Sequence, residues 1–191
     1  MPLRFTDVLR EAAGDQWNRV VTHKFTTDLA SGTINRNVLK KYLIQDHRFL
    51  DAFVILLGAL ISNARCLEDR IPGCQFLAVI TGKENTYFER SFKELGCDDV
   101  TERNAIPTAP CASGFIELMK TVARGGNLGE ILSVLVVCEW SYLSWGQKVE
   151  NMTNRDSFVT YEWVDLHCGK YFEGVVNYLR CLLDKEGDMI D

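Results

Sequence analysis

The sequence has little of the clustered positive charge that nucleic-acid-binding proteins use. Its formal net charge is −5, and its lysines and arginines form no dense run in the 191 residues. Binding to a phosphate backbone needs a basic surface, so the composition argues against nucleic acid as the main partner. Residues 1–15 also lack the apolar run of a secretory signal peptide, and we therefore expect a cytoplasmic protein.

Metal ligands and cofactor motifs are also scarce. The three histidines are scattered, the seven cysteines include no CxxC pair, and no Glu-x-x-His pattern occurs. Zinc and di-iron sites need clustered ligands of these kinds. Glycine-rich phosphate loops and GxSxG motifs are missing too. We predict no metal, no cofactor, and cysteines that stay free thiols in a reducing compartment.

Long apolar runs are missing as well. The two most apolar stretches are Ala52–Ile61 and Ile131–Trp145. Each is shorter than the roughly 20 residues that span a bilayer. The sequence therefore predicts no membrane segment.

Proline is rare, and apolar residues recur over long segments with the 3.6-residue period of a helix. This pattern predicts an all-α protein, a single domain 1–191 built as a compact up-and-down bundle of about seven or eight helices. The boundaries follow from caps and breakers. In the first half of the chain we predict a first helix capped by Thr6 and ended at Gly14, a second from about Trp17 to Ser31, a long third from a cap at Asn35 to about Arg65, and one from about Gln75 to Leu95 after Pro72. A loop follows over 97–110.

In the second half we predict a helix from about Ala112 to Arg124 and another over the stretch 131–145. One around Trp163, capped by Asp156 or Ser157, and a last one from Tyr171 to about Asp184 complete the bundle.

A single charge, Glu139, stands in the most apolar helix. Apolar residues lie on every side of this helix between Glu130 and Lys148, so we predict that it is buried all round. A buried carboxylate is costly unless it is paired or hydrogen-bonded, and such groups cluster at functional sites. Cys138 is its neighbour, and Tyr142 follows three residues later on the same face. We predict that the three side chains point into one interior; a structural carboxylate held by a neighbouring donor is the alternative.

A second carboxylate, Asp46, interrupts the apolar stripe of the long third helix, between Tyr42 and Phe49. Its alternative is a solvated position at the edge of that stripe. Glu84 is a weaker candidate, because charged residues surround it in the sequence. Carboxylates among aromatic side chains suit a flat, nitrogen-rich ring, since they accept its N–H groups or transfer its protons.

Four segments resemble the TenA family, the thiaminase II-like proteins of thiamin salvage. They are Trp17-x5-His23-x-Phe25 with Leu29-x-x-Gly32, the segment Tyr42-Leu43-Ile44-Gln45-Asp46-His47-Arg48-Phe49 (similar to the family's YLxQDxxF/Y pattern), the segment Cys138-Glu139-Trp140-Ser141-Tyr142-Leu143-Ser144-Trp145, and Trp163-Val164 to Phe172. The resemblance covers nearly the whole chain.

This resemblance implies an all-α, haem-oxygenase-like bundle that binds a small pyrimidine and assembles as a homo-oligomer, a dimer or tetramer. It also implies hydrolysis of an amino- or aminomethyl-pyrimidine, or of an N-formyl derivative, to a hydroxymethylpyrimidine-type product. Asp46 matches the family carboxylate that contacts the ring nitrogens. Phe49 and Tyr142 match wall and hydrogen-bonding positions, and Glu84 matches an acidic position.

The family has two branches, one with a catalytic Cys four residues before a Tyr and one with a Glu three residues before it. This sequence has both, Cys138 and Glu139. The ending Glu-x-x-Tyr-Leu-x-Trp, together with Phe49, resembles the Glu branch more closely. The resemblance therefore implies that Glu139 and Cys138 are the catalytic residues, with more weight on Glu139.

Some positions depart from the family pattern. Ala112, Thr160 and His167 stand where a tyrosine is common, and nothing after Cys181 matches the family's final helix with its catalytic Glu in an lExxFW pattern. Either the sequence is truncated before that helix or the protein lacks its acid. The missing Glu and tyrosines favour the alternative of a non-catalytic pyrimidine-binding or regulatory member of the same fold. A third alternative, a protein like the related quinone-cofactor synthases, would need a His-rich pocket that the sequence lacks.

Overall fold

The computed structural model describes residues 3–189, and within that range it contains helices and no strand, which confirms the all-α prediction. The α-helices are α1 (Phe5–Ala13), α2 (Asp15–Val21), α3 (Lys24–Ser31), α4 (Arg36–Asn63), α5 (Leu67–Val79), α6 (Asn85–Glu94), α7 (Val100–Ala105), α8 (Pro110–Gly125), α9 (Leu128–Val149), α10 (Phe158–Leu166) and α11 (Gly169–Gly187). A π-helical turn, Ile80–Glu84, joins α5 to α6, and a 3-10 turn, Glu150–Met152, follows α9.

The chain divides into two units. The first takes the described residues of Met1–Thr33 and Asn127–Asp191, and the second is Ile34–Gly126. In the first unit, α9 packs against α2, α3, α10 and α11. In the second, α4 packs against α5, the π-helical turn, α6 and α8. Each unit therefore has one long helix with most of its other helices packed against it.

Two predicted caps have opposite outcomes. Asn35 does begin α4, because its side-chain oxygen accepts the N–H groups of Asn37 and Val38, as N-cap asparagines do. Thr6 is not a cap: α1 begins at Phe5, and Thr6 is buried inside it. Its backbone N–H is bonded to the carboxylate of Asp184 instead, so a contact with a distant helix replaces the local cap.

The predicted second helix is two helices. The chain breaks at Thr22, and His23 caps α3 by accepting the N–H of Phe25 at Nδ1 (3.1 Å). The break at Gly14 is confirmed, since this glycine separates α1 from α2 with φ +52°. A positive φ favours glycine over other residues.

The predictions for residues 67–125 were wrong at three places. Helix α5 begins at Leu67 and contains Pro72, which was expected to precede a helix. The expected loop over 97–110 contains α7, whose N-cap Asp99 accepts the N–H groups of Thr101 and Glu102. Helix α8 begins at Pro110 rather than Ala112, and proline is well suited to the first turn of a helix.

Helix α9 is longer than the stretch 131–145 and less uniformly buried. A capping box of Asn127 and Glu130 begins it, and Val137 is 55% exposed, which corrects the expectation of burial all round. By length and composition alone, the run Leu128–Met152 could cross a membrane, so the argument from length was wrong. Half of its most apolar window is buried inside the protein, and a core helix passes the same test, so this is weak evidence for a membrane.

Candidate functional site

Helix α9 places Cys138, Glu139 and Tyr142 in the first unit. Cys138 is 3% exposed and Glu139 is 7% exposed, whereas Tyr142 is half-buried. A carboxylate this deeply buried needs partners that repay its lost hydration. Glu139 therefore has the interior position that the sequence predicts, on the same helix as Cys138 and three residues before Tyr142.

Aromatic rings surround Tyr142. The His167 ring lies 4.5 Å from the Tyr142 ring, measured between centroids, and the rings of Trp145 and Trp163 lie 5.8 Å and 6.2 Å from it. His167 is also 4.3 Å from the Trp163 ring, edge to face. These contacts hold the Tyr142 ring between α9 and the junction of α10 with α11.

His167 is neutral at physiological pH. Complete burial lowers its pKa to about 4, although the hydrogen bond between its Nδ1 and the carbonyl oxygen of Trp163 (2.7 Å) opposes the shift. Because a carbonyl only accepts, the proton of the neutral ring is on Nδ1 and Nε2 is the acceptor. An uncharged imidazole is therefore fixed in one tautomer beside Tyr142.

Gly146 makes this arrangement possible. A Cβ added at this glycine would lie 2.3 Å from the His167 carbonyl oxygen and 3.0 Å from its carbonyl carbon. No real side chain fits there, so Gly146 lets the backbone after α10 approach α9 closely. The sequence analysis missed this role; the spacing of Tyr142, Trp145 and Gly146 on one helix was the available signal.

A second cluster covers Trp140, the residue after Glu139. The guanidinium of Arg180 lies 3.7 Å from the Trp140 ring centroid and that of Arg10 lies 5.1 Å from it. The Trp17 ring is 5.1 Å away. Arg180 also pairs with Asp7 at 2.6 Å. Cation–π and ion-pair contacts thus join α1, α2 and α11 to the middle of α9.

Helix α4 carries Asp46 and Phe49 in the second unit, and both are half-buried. The Phe49 ring stacks on Phe115 of α8 (5.3 Å) and on Phe53 (5.8 Å). Phe53 in turn meets Phe76 at 6.1 Å. Asp46 therefore lies on the helix that carries Phe49 and Phe53, two members of this row of phenylalanine rings.

Glu84 is the last residue of the π-helical turn and is 9% exposed. The turn contacts α4, so the second unit brings Glu84 onto an element that packs against the helix of Asp46 and Phe49. Single π-turns occur often at functional sites. Among residues 3–189, no three His, Cys, Asp or Glu side chains are grouped as a metal ion would require.

Comparisons with known proteins agree with the resemblance seen in the sequence. A family model described as TENA/THI-4/PQQC matches residues 10–185. An aminopyrimidine aminohydrolase from Halalkalibacterium halodurans is 25% identical over 187 residues, which cover 96% of this chain and 82% of that protein. One from Bacillus subtilis is 26% identical over 172 residues, or 89% of this chain and 71% of that protein.

Solved structures agree on the fold. A TenA homologue from P. horikoshii OT3 superposes with a TM-score of 0.83 at 22% identity, covering 96% of this chain and 85% of that one.

Proposed function

We propose, because the chain belongs to the TENA/THI-4/PQQC family, that it is an aminopyrimidine hydrolase of thiamin salvage. It would replace the amino group of an aminomethyl- or amino-pyrimidine by a hydroxyl group from water and release ammonia. Removal of the formyl group of an N-formyl pyrimidine, in which water cleaves the amide to formate and the amine, is the other hydrolysis proposed. The observation that supports this most strongly is the match along most of the chain to two proteins named aminopyrimidine aminohydrolase.

Glu139 is proposed to move the protons of this reaction. An amine leaves as ammonia only if it is protonated, and water attacks more readily if a base takes its proton. A buried carboxylate can do both in turn, because burial favours its neutral form and lets it donate as well as accept. Glu139 is 7% exposed and lies on α9 beside Cys138, which would have a smaller role.

Asp46 is proposed to bind the pyrimidine by accepting its ring and amino N–H groups. Charge-assisted hydrogen bonds of this kind are worth roughly 1.5–3 kcal/mol each. Phe49 would form a wall for the pyrimidine ring. It lies on the same helix as Asp46, and its side chain stacks on Phe53 of that helix and on Phe115 of α8. Tyr142 would add a hydrogen bond, held in place by the aromatic rings around it, and Glu84 is the further carboxylate candidate.

Ammonia release from 4-amino-5-aminomethyl-2-methylpyrimidine tests the chemistry. Glu139→Gln preserves shape and removes the proton donor, so we expect it to lose most of the turnover, by about a hundredfold or more. Cys138→Ser should cost less. Equal rates for wild type and Glu139→Gln would remove Glu139 from the mechanism, and a larger loss in Cys138→Ser would transfer its role to the thiol.

Calorimetric titration with the same pyrimidine tests Asp46. We expect Asp46→Ala to weaken binding by roughly ten- to a hundredfold, at about 1.4 kcal/mol per decade, with little change in melting temperature. Unchanged affinity together with a large loss of stability would show a structural role instead. Wild-type protein that binds the pyrimidine without releasing ammonia would support the non-catalytic, pyrimidine-binding alternative.

We also propose that the protein is cytoplasmic and forms a homo-oligomer, a dimer or tetramer. The resemblance to the TenA family implies this assembly, and exposed apolar side chains such as Val137 (55%) and Leu118 (45%) are compatible with it. Light scattering after size-exclusion chromatography measures the mass; a monomer at micromolar concentration would contradict this part.

A further inference from the structure

The side-chain amide of Gln45 on α4 makes two hydrogen bonds to the backbone just before α8. Its Nε2 donates to the carbonyl oxygen of Pro107 at 3.0 Å, and its Oε1 accepts the backbone N–H of Ala109 at 2.9 Å. An amide that donates to one backbone group and accepts from another fixes both the position and the direction of the segment. Gln45 thus donates one hydrogen bond to the backbone of residues 107–109 and accepts another from it.

Arg48 is hydrogen-bonded to the other end of the segment that connects α7 to α8. Its guanidinium donates to the carbonyl oxygens of Arg103 (2.6 Å) and Ile106 (2.7 Å) and to the hydroxyl of Thr108 (3.1 Å). The first two acceptors lie at the C-terminal end of α7, where a cation is favoured by the helix dipole. Gln45 and Arg48 are three residues apart and so lie on one face of α4. Two side chains of one helix therefore hold the whole segment 103–109.

The N-terminus of α8 depends on these hydrogen bonds from Gln45 and Arg48, because α8 lacks a side-chain cap of its own. Its N-cap is Ala109, which has no side chain to accept a backbone N–H, and Pro110 is its first residue. The only side chain that orients the entry to α8 through Ala109 in the described residues is Gln45. Pro110 favours the start of a helix locally, and Gln45 fixes where that start lies against α4.

Gln45 and Arg48 are next to the proposed binding residues in the sequence. Gln45 precedes Asp46 and Arg48 precedes Phe49 along α4. The helix that they position carries Phe115, whose ring stacks on Phe49 at 5.3 Å with an interplanar angle of 30°. A shift of α8 along α4 would therefore change the wall that Phe49 presents to a ring.

We propose that Gln45 and Arg48 are positioning residues that set the location of α8, and through Phe115 and Phe49 the affinity of the site for its pyrimidine. This inference rests on the proposed function. It assigns to the pair no contact with the ligand and no part in proton transfer. Their effect belongs to binding, so it should appear in Kd and KM and leave kcat nearly unchanged.

The experiment compares Gln45→Met, Arg48→Met and Arg48→Lys with the matched control Lys40→Met. Lys40 lies on the same helix and also donates to a backbone carbonyl, that of Gly96 at 3.0 Å, but not on the α8 connection. We expect the two methionine variants at 45 and 48 to raise Kd and KM by about tenfold, as for the loss of one or two hydrogen bonds. Arg48→Lys, which keeps the charge and one donor, should fall between. Lys40→Met should lower the melting temperature and leave Kd and KM at their wild-type values.

Amide hydrogen exchange tests, without any ligand, whether Gln45 and Arg48 position α8. Faster exchange across residues 109–115 in Gln45→Met, and not in Lys40→Met, supports the proposal. Unchanged exchange there, or an unchanged Kd and KM despite a lower melting temperature, would overturn it. If the wild type neither binds nor hydrolyses a pyrimidine, the proposed function fails by itself, and exchange alone then decides whether Gln45 and Arg48 position α8.

Discussion

The shortest side-chain contacts that basic residues make between different parts of the chain differ in their acceptors between the two units of this protein. In the first unit, arginines pair with carboxylates: Arg4 with Asp184 and Arg180 with Asp7, each at 2.6 Å. In the second, basic side chains donate to backbone carbonyls, as Lys40 does to Gly96 and Arg48 does to Ile106. Carboxylates gain a proton in acid and peptide carbonyls do not. The first unit should therefore lose its contacts on acidification before the second.

The tryptophans make this comparison measurable. All four, Trp17, Trp140, Trp145 and Trp163, belong to the first unit. Their fluorescence therefore reports on that unit, whereas far-UV circular dichroism reports on the helices of both. The single domain 1–191 stays a prediction, and coincident transitions by the two probes would support it.

The largest expected effect comes from His167 in the first unit. Its folded-state pKa is about 4, below the ordinary value of roughly 6.5, so the unfolded chain binds a proton that the native state refuses. Stability is then fully present above pH ~6.5 and is lost as the pH falls toward 4, by about 3 kcal/mol. Urea unfolding of wild type and His167→Phe at several pH values measures this. The variant should show a flatter dependence on pH; parallel curves would contradict the shift.

A glycine in each unit sharpens the comparison at the next level. Gly146→Ala in α9 forces a methyl group against the His167 carbonyl, so we expect a loss of roughly 1–3 kcal/mol of unfolding free energy. The control is Gly58→Ala in α4, where nothing lies within 4 Å of the added Cβ. That change should stabilise by about 0.5–1 kcal/mol, because alanine is the better helix former. Chemical denaturation measures both, and equal effects of the same sign would refute the close approach.

Asp184→Asn tests the carboxylate contacts directly. Burial raises the pKa of Asp184, but the hydrogen bonds from the Thr6 N–H and the Arg4 guanidinium outweigh it and hold the pKa below its ordinary value. Its contribution is therefore present above the unfolded pKa of roughly 3.9 and is lost as the pH falls through the lower native value. We expect the variant to lose about 1–2 kcal/mol at pH 7.

Thermal melts measure that loss, followed by tryptophan fluorescence for the first unit and by far-UV circular dichroism for the helices of both units. Glu94→Gln in the second unit is the counterpart, since Glu94 is half exposed and lies 3.4 Å from Arg36. An equal loss in both variants would show that the two units do not differ in their dependence on carboxylates.

The smallest effect is expected at the exposed ion pairs. Lys24 pairs with Asp28 four residues later on α3, with the lysine side chain 80% exposed. Lys120 lies 3.9 Å from Asp51 in the second unit. Exposed pairs contribute ~0.2–1 kcal/mol, so Lys24→Ala and Lys120→Ala should each change stability by less than about 1 kcal/mol. A larger loss that disappears in 1 M salt would show that surface charge supports the fold more than we infer.

Local patterns in the sequence were sufficient where the cause is local. Asn35 was found as a cap because the amide and the N–H groups it satisfies are two and three residues apart. Glu139 was placed in an interior because its neighbours on α9 are apolar. The six-residue helix α7 was missed since a segment that short shows no period, although Asp99 had the residue type of a cap.

The sequence could not show the contacts between helices that are far apart along the chain. Thr6 looked like a cap and is instead bonded to Asp184, far along the chain. Residues 107–109 looked like a free loop and are held by Gln45. In both cases a partner from another helix replaces the local one, and no spacing along the chain reports it.

The sequence by itself determined the helical class and several helix ends, because periodicity and capping act within a few residues. The side chains proposed for the chemistry came from their positions in the sequence together with the resemblance to the family. The tertiary structure decided which rings enclose Tyr142, why Gly146 must be a glycine and what positions α8. Those features depend on the distance between atoms that are many residues apart. Such distances are set only when the side chains of packed helices compete for the same space.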